Sequence, residues 1–80
     1  MKYIIFDNNE AVIFADSTSH KNIAGERPVR SAGFCSVETY HNEWDDIRAN
    51  VSVWGYSSTL KKKSDPEDAL ILKEMFRVGG

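Results

Sequence analysis

Three consecutive lysines and a serine, Lys61–Ser64, come directly before Asp-Pro-Glu-Asp, a sequence typical of the start of a helix. The first turn of a helix has free N–H groups and a partial positive charge, so further cations are unfavourable there unless an anion binds. Ammonium groups, the Ser64 hydroxyl and free N–H groups together form an anion site suited to phosphate. The alternative is a solvated connector whose lysines balance Glu67 and Asp68.

The same segment lacks the glycines of a Walker loop, so the pattern predicts binding of a small phosphorylated molecule without hydrolysis. The preceding stretch, Gly55–Leu60, adds a ring and hydroxyl groups. Tyr56 can stack on a base, while Ser57 and Thr59 can hydrogen-bond the sugar or the phosphates, although ordinary strand residues have the same pattern. Trp54 is a further stacking candidate, but core packing is the favoured interpretation of this ring. The predicted ligand-binding residues are Lys61, Lys63, Ser64, Tyr56, Ser57, Thr59 and Trp54.

Histidine and cysteine offer weaker candidates for chemistry. His20 and His41 occur as His-Lys-Asn and His-Asn-Glu, which do not match the His-x-Thr/Ser repeats of two-histidine phosphodiesterases. His41 and the three acidic residues of segment 43–46 could hold a metal, but four residues in a polar connector favour a surface role. Cys35 lies in an apolar run and is expected to be a packed thiol. The sequence therefore predicts no catalytic residue, metal or cofactor.

The composition indicates one small globular domain, residues 1–80. Apolar residues make up 41% of the chain, and no apolar run approaches the ~20 residues of a membrane span. The 12 acidic residues outnumber the 10 basic residues, which argues against broad nucleic-acid binding because that binding depends on summed positive charge. The first ten residues lack the apolar stretch of a secretion signal, and one cysteine cannot form an internal disulfide. We therefore expect a cytoplasmic protein.

Two apolar runs around Asn8–Asn9 predict a β-hairpin with strands Lys2–Phe6 and Ala11–Ala15. A two-residue turn at the asparagines places Ile5 opposite Val12, and both faces of the hairpin are then apolar. A small sheet with two apolar faces needs two covers, and the sequence offers one convincing helix. Self-association is therefore expected.

Segments 29–40 and 47–57 predict a second antiparallel pair, joined by the polar residues 41–46. Between the two hairpins, Asp16–Pro28 is dense in turn-forming residues. This composition predicts a mobile loop that could hold at most a short helical turn ended by Gly25.

The last predicted element is a helix over Pro66–Arg77, with Ser64 or Asp65 as its N-cap. Its apolar residues recur at helical spacing, so one side of the helix should pack on the sheet. The predicted fold is α+β: an antiparallel sheet of about four strands, arranged as two hairpins, with the C-terminal helix packed on one face.

Two motifs carry a resemblance to a known group of proteins. Ser31–Phe34, followed by Gly55–Ala69, resembles small proteins of tailed phages and prophages with the pattern Ser-Ala-Gly-Phe, Gly-x-Ser-x-Ser-Leu and Lys-Ser-x-Pro-Glu-Asp. The matching residues of the second motif are Ser57, Thr59, Leu60, Lys63, Ser64, Pro66, Glu67 and Asp68. Thr59 replaces a serine, and Lys61–Lys62 replace more neutral residues, so the resemblance gives most weight to Lys63–Ser64.

The resemblance implies a function in the infected host cell. Phage proteins of this size commonly act against host defences, and one class sequesters cyclic or ADP-ribose-type nucleotides that bacterial immune systems use as signals. Such nucleotide sponges are compact oligomers with pockets at subunit junctions. The resemblance therefore implies an anti-defence protein of the host cytoplasm that binds a signalling nucleotide and evades immunity without catalysis.

Two other functions remain open. A protein-binding inhibitor of a host defence enzyme would use the apolar sheet face or the acidic segment 42–46. A phosphodiesterase that cleaves the same nucleotides would use His20 or His41, and this function ranks last.

Overall fold

The computed structural model describes residues 1–41 and 47–75, which form six strands and two helices. In chain order these are β1 Lys2–Phe6, β2 Ala11–Phe14, α1 His20–Ala24, β3 Val29–His41, β4 Ile47–Trp54, β5 Tyr56–Ser57, β6 Lys62–Lys63 and α2 Asp68–Glu74. The main sheet is antiparallel with strand order β2-β1-β3-β4, and α2 packs on one face against β4. The predicted α+β fold is therefore confirmed. Neither of these helices has the length and apolar character needed to cross a membrane.

The first hairpin has a different register from the predicted one. Phe6 donates its N–H to the Glu10 carbonyl over 2.9 Å, so the loop consists of the three residues Asp7–Asn9. The last loop residue has a φ of 67°, as expected for a three-residue hairpin loop. Because the loop has three residues and not two, the pairing moves by one position and Ile5 lies opposite Ala11. The predicted pairing was wrong for this reason, and the apolar residues of β2 exchange faces.

Each face of the sheet carries its own core cluster. The first consists of Tyr3, Ile5, Cys35 and Leu72, with Ala11, Ile13, Val37, Val51, Val53 and Ile71 packed against it. The second consists of Ile4, Phe6, Ala24, Val29 and Ala32, with Val12, Phe14, Ile23 and Leu60 packed against it. Helix α2 covers the first face, and α1 contributes to the cover of the second. The expectation of self-association rested on an uncovered second face, and that premise was wrong because it omitted α1.

Helix α1 lies within Asp16–Pro28, where a mobile loop was predicted. The Ser19 hydroxyl caps its N-terminus, and Gly25, with a φ of 58°, ends it as expected. His20 at its start is 4% exposed, and its Nε2 lies 2.9 Å from the Gly33 carbonyl oxygen. The short helical turn that the sequence allowed here is therefore confirmed, and this capped turn docks on the sheet.

Strands β3 and β4 form the predicted second hairpin. The chain was expected to continue as one strand to Ser57, but Gly55, with a φ of 76°, separates β4 from β5. At Gly33, strand β3 comes close to the end of β4 and to Ser64. A Cβ atom there would be 2.6 Å from the Trp54 carbonyl oxygen and 3.1 Å from the Ser64 Cβ. Glycine at this position therefore allows the end of β4 and Ser64 to approach β3.

Candidate functional site

The three lysines lie on a small hairpin formed by β5 and β6, which we call the lysine hairpin (residues 56–63). Tyr56 lies opposite Lys63, and Ser57 lies opposite Lys62. Lys61, in the turn, has a φ of 56°. All three lysines are exposed. The hairpin thus places two of the predicted phosphate-binding lysines, Lys61 and Lys63, beside the predicted stacking ring.

The hydroxyls of this hairpin support its turn. The Ser57 Oγ lies 3.2 Å from the Thr59 Oγ1 and accepts a hydrogen bond from the Leu60 N–H over 3.3 Å. Ser57 is 1% exposed, whereas Thr59 is exposed. A side chain as buried as Ser57 holds the turn in place, and Thr59 is the hydroxyl of the two that a ligand can reach.

Two open grooves formed by described residues border the lysine hairpin. The first, which we call the tyrosine groove, has a volume of about 570 Å³ and is lined by Gly55, Tyr56, Lys61, Lys62 and Lys63. The second, the arginine groove, has a volume of about 470 Å³ and is lined by Arg30, Ser31, Lys61, Lys62, Lys63, Ser64, Asp65 and Pro66. The lysines line both grooves, so an anion could approach them from either side.

The two grooves differ in electrostatics. In the arginine groove, Arg30 Nη1 donates to the Asn9 Oδ1 over 2.6 Å, and its Nη2 lies 3.9 Å from a Glu67 carboxylate oxygen. The Asp65 carboxylate also lines this groove. Among the described residues, the lining of the tyrosine groove has cations and an aromatic ring and no carboxylate. Positive charge is therefore less compensated in the tyrosine groove, which makes it the better candidate for an anion.

Ser64 uses its donors within the fold. Its N–H and its hydroxyl both donate to the Gly55 carbonyl oxygen, over 3.0 and 2.9 Å. These bonds join the end of β6 to the glycine that separates β4 from β5. Donation from the Ser64 hydroxyl to a phosphate would require one of them to break, so the geometry favours a structural role for this residue.

The start of α2 also differs from the prediction. The helix begins at Asp68, two residues after the predicted start, and the predicted end at residues 76 and 77 lies outside the described residues. Its N-cap is Glu67, which makes no side-chain cap bond, so the predicted N-cap at Ser64 or Asp65 was wrong. Asp65 instead closes the turn before the helix, because its Oδ1 accepts from the Glu67 N–H over 2.9 Å. The Asp65 N–H in turn donates to the Asp68 Oδ2 over 2.9 Å. The N–H groups of Asp65 and Glu67 are thus bound by the chain's own carboxylates, and the Asp68 N–H donates to the Asp65 carbonyl, so these three are not free for phosphate as expected.

Asp68 is the centre of a buried polar cluster that the sequence analysis missed. Its side chain is fully buried and accepts hydrogen bonds from the Tyr3 hydroxyl at 2.5 Å and the Ser31 hydroxyl at 2.8 Å, besides the Asp65 N–H. We call these four residues the Asp68 cluster. Burial and the hydrogen bond to Asp68 raise the pKa of Tyr3 far above its ordinary range. A tyrosine within the buried run of β1 was the available signal, because a buried phenol needs a polar partner.

Trp54 is 50% exposed and Tyr56 is 65% exposed. Core packing was the favoured interpretation for Trp54, and this exposure contradicts it. The residue ends β4 opposite Phe34, on the other side of Gly55 from the lysine hairpin. Trp54 does not line the tyrosine groove as described, so its predicted stacking role would require a ligand that extends beyond it.

The histidines and the cysteine lie away from the grooves. The His20 ring packs edge-on between the rings of Phe14 and Phe34, with centroids 5.4 and 6.0 Å away, so it is not presented to a substrate. His41 is exposed, but its proposed metal partners at 43–46 lie outside the described residues. Within the described ranges, no group of three His, Cys, Asp or Glu residues could hold a metal. Cys35 is buried as expected, and burial raises the pKa of its thiol.

Comparison with known proteins adds no family to this description. No family model matches the chain, and neither the curated proteins nor the solved structures contain a significant match. The function is therefore inferred from the geometry of the lysine hairpin and its two grooves.

Proposed function

We propose that this protein binds a small phosphate-bearing molecule in the tyrosine groove and holds it without chemical change. The supporting observation is the pairing of Tyr56 with Lys63 across the lysine hairpin, with two further lysines in the same groove. An exposed aromatic ring can stack on a base, while ammonium groups beside it neutralise phosphate. A nucleotide carries both of these groups in one molecule.

The proposed contacts fall into two sets. Lys61 and Lys63 bind phosphate, Tyr56 stacks on the base, and Thr59 offers a hydroxyl at the turn. Ser57 and Ser64 position these groups through their hydrogen bonds inside the hairpin and to Gly55, as described above. Lys62 lines the same groove and adds to its positive charge. The site therefore needs no free N–H group at the start of α2.

The resemblance to small phage proteins narrows the proposed ligand to a cyclic or ADP-ribose-type signalling nucleotide of an infected cell. In that setting the protein would be a sponge that lowers the free concentration of an immune signal. The groove supplies cations and a ring, which supports retention of such a molecule. Cleavage by His20 has no comparable support because that ring is 4% exposed.

A panel of ligands tests this proposal and distinguishes binding of an intact molecule from its cleavage. Purified protein is incubated with ADP-ribose, cyclic dinucleotides, AMP and inorganic phosphate, and the bound fraction is measured by equilibrium dialysis. Heating then releases the ligand, and chromatography determines whether it returns intact. We expect intact recovery of at least one nucleotide. Cleaved products would contradict binding without catalysis, and no retention of any nucleotide would contradict the proposed function.

Two substitutions in the lysine hairpin test whether the ligand binds in the tyrosine groove. Lys63→Glu and Tyr56→Ala should each weaken nucleotide retention by about tenfold or more, because each removes one of the two proposed kinds of contact. Lys21→Ala is the matched control, since Lys21 is an exposed lysine on α1 away from both grooves. Unchanged nucleotide retention in both hairpin variants would show that the ligand does not bind in the tyrosine groove.

A second candidate function is inhibition of a protein partner, and the exposure of Trp54 favours it. Tryptophan and tyrosine are enriched among the residues that contribute most to protein interfaces, and Trp54 and Tyr56 are both at least half exposed. Trp54→Ala separates the two functions. It should leave nucleotide retention unchanged if the tyrosine groove is the site, and abolish inhibition of a host enzyme if the ring docks there.

A further inference from the structure

Among the described strands, β4 lies at one edge of the main sheet. It pairs with β3 through eight consecutive positions without a register shift, and no described strand pairs with its other side. Monomeric proteins commonly protect such edges with proline, lysine, bulges or very short strands. The sequence of β4, Ile-Arg-Ala-Asn-Val-Ser-Val-Trp, has one charged residue, Arg48, and no proline, glycine or lysine. The opposite edge, β2, has four residues, half the length of β4.

The hydrogen bonds that β3 makes on the side away from β4 determine which backbone groups of β4 point to the outer edge. The Cys35 N–H donates to the Met1 carbonyl over 2.8 Å, and the Cys35 carbonyl accepts from the Met1 amino group over 3.1 Å. Both backbone groups of Cys35 therefore point away from β4. Val53, which lies opposite Cys35, must direct its own N–H and C=O to the outer edge. By the alternation of a strand, Ile47, Ala49 and Val51 do the same.

We propose that two copies of this chain associate through their β4 edges as antiparallel strands, with the two-fold axis at Asn50. This register aligns every outward residue: Ile47 lies opposite the other copy's Val53, and Ala49 lies opposite its Val51. Each of these four residues donates one bond and accepts one, so two strands form eight backbone hydrogen bonds. Moving the axis by one residue leaves at least one outward residue of the strand without a paired partner in β4. The main sheets of the two copies then form one continuous sheet.

The side chains of β4 favour a second copy as the occupant. Val51 and Val53 are half-buried and pack against the cluster beneath α2, while Ala49 is fully buried. In the proposed register, Val51 of one copy lies beside Ala49 of the other, so the apolar row continues across the axis. In this register, strand position 48 of one copy is paired with Ser52 of the other, so the one charged residue of β4 is not paired with its counterpart in the other copy. The edge is therefore complementary to itself in charge and in apolar character.

The register makes opposite predictions for two substitutions at one exposed position. Ser52→Glu places a carboxylate opposite Arg48 of the other copy, twice per dimer, whereas Ser52→Lys places a second cation there. From the usual strength of cross-strand charge pairs, we expect the dimer dissociation constant to fall by about two- to tenfold for Ser52→Glu and to rise by about two- to tenfold for Ser52→Lys. Ser17→Glu and Ser17→Lys are matched controls, because Ser17 is exposed and lies in the turn after β2.

Sedimentation velocity over a range of concentrations measures the dissociation constant, and circular dichroism checks that each variant is folded. Hydrogen exchange gives an independent measurement, since the amides of Ala49, Val51 and Val53 should be protected at concentrations where the dimer dominates and exchange faster on dilution. A protein that stays monomeric at high concentration would overturn the proposal. So would a dimer that responds equally to both Ser52 variants, or one in which these amides gain no protection. The proposal does not depend on nucleotide binding.

Discussion

The lysine hairpin and the Asp68 cluster are neighbours in the sequence but differ in almost every physical respect. Lys61, Lys62 and Lys63 are exposed and line open grooves. Asp68, five residues after Lys63, is fully buried, and its carboxylate accepts hydrogen bonds from Tyr3, Ser31 and Asp65. In the cluster, polar groups bind one another, whereas the hairpin offers its charges to solvent or to a ligand.

This difference separates residues that stabilise the fold from residues that can bind. A buried polar network has strong hydrogen bonds, and the loss of one member leaves the others without partners in a medium of low polarity. Exposed lysines contribute little to stability because water and salt already solvate and screen them. We therefore expect substitutions in the cluster to change the free energy of unfolding, and substitutions in the hairpin to change binding.

The largest expected effect is that of Asp68→Ala. It removes the acceptor of two buried hydroxyls and one backbone N–H, so the free energy of unfolding should fall by about 3 to 5 kcal/mol. The free energy of unfolding of a domain of this size is roughly 4 to 12 kcal/mol, so a large fraction of the variant could unfold at room temperature. Urea titration followed by circular dichroism measures the change. Glu67→Ala is the control, because its side chain is 74% exposed. A loss below about 1 kcal/mol for Asp68→Ala would contradict the role given to the cluster.

Gly33→Ala tests the connection between the lysine hairpin and the core of the fold. The new methyl group would be 2.6 Å from the Trp54 carbonyl oxygen and 3.1 Å from the Ser64 Cβ, so β4 or the chain at Ser64 must move. We expect a loss of about 2 to 3 kcal/mol in the free energy of unfolding, as for other overpacked sites. Because Ser64 also donates to the Gly55 carbonyl, the variant should weaken nucleotide retention as well.

Ser36→Ala on the same strand is the matched control for this substitution, since Ser36 is exposed. It should change the free energy of unfolding by less than about 0.5 kcal/mol. If Gly33→Ala were as stable as this control, the close approach of Ser64 to β3 would not constrain the hairpin.

The pH dependence of stability gives a third test of the cluster. The pKa of Tyr3 is raised in the folded state by burial and by its bond to Asp68. Its contribution is therefore fully present below the ordinary tyrosine pKa of about 10 and is lost progressively above it, because the unfolded chain releases the proton first. The free energy of unfolding should fall by up to about 1.4 kcal/mol per pH unit in this range on account of Tyr3.

Tyr3→Phe is the comparison protein for this measurement. At neutral pH it should lose about 2 kcal/mol, because a buried hydrogen bond to a carboxylate is removed. Above pH 10 its stability should decline less steeply than that of the unsubstituted protein. The buried Cys35 thiol, whose pKa is also raised by burial, is present in both proteins and cancels in the difference. Parallel urea midpoints from pH 8 to 11 would show that Tyr3 does not titrate as described.

The sequence predicted the fold better than the site, and particular residues show why. Runs rich in β-branched and aromatic residues were enough to predict the strands of the first hairpin, since each run is bounded by turn-forming residues. The register of the first hairpin depended on whether Asp7 joins the two asparagines in the loop, and the turn-forming residues Asp7–Asn9 are compatible with a loop of two or of three residues. Helix α1 was predicted only as a possible short turn within a loop, because its residues, His-Lys-Asn-Ile-Ala, have weak helical propensity, and contacts with the sheet hold it.

The sequence predicted the charged residues of the candidate site, but it did not predict the hydrogen bonds around them. The lysines and Tyr56 do lie together, because a hairpin follows Gly55. Asp68 was interpreted only by its charge near the start of the helix, where an acidic residue is favourable. Its burial depends on Tyr3 and Ser31, which are 65 and 37 residues away in the chain. Tertiary contacts over such separations are not visible in local sequence patterns.

The smallest expected change in stability belongs to the hairpin itself. Replacement of Lys61, Lys62 and Lys63 together by alanine should change the free energy of unfolding by less than about 0.5 kcal/mol, because none of these exposed cations takes part in a described ion pair. The same variant should lose retention of any nucleotide that the unsubstituted protein binds, by more than tenfold, since the phosphate contacts are removed. Equilibrium dialysis and urea titration on one preparation measure both quantities. A stable variant with unchanged retention would reject the lysines as ligands, whereas a variant that unfolds would assign them a structural function like that of Asp68.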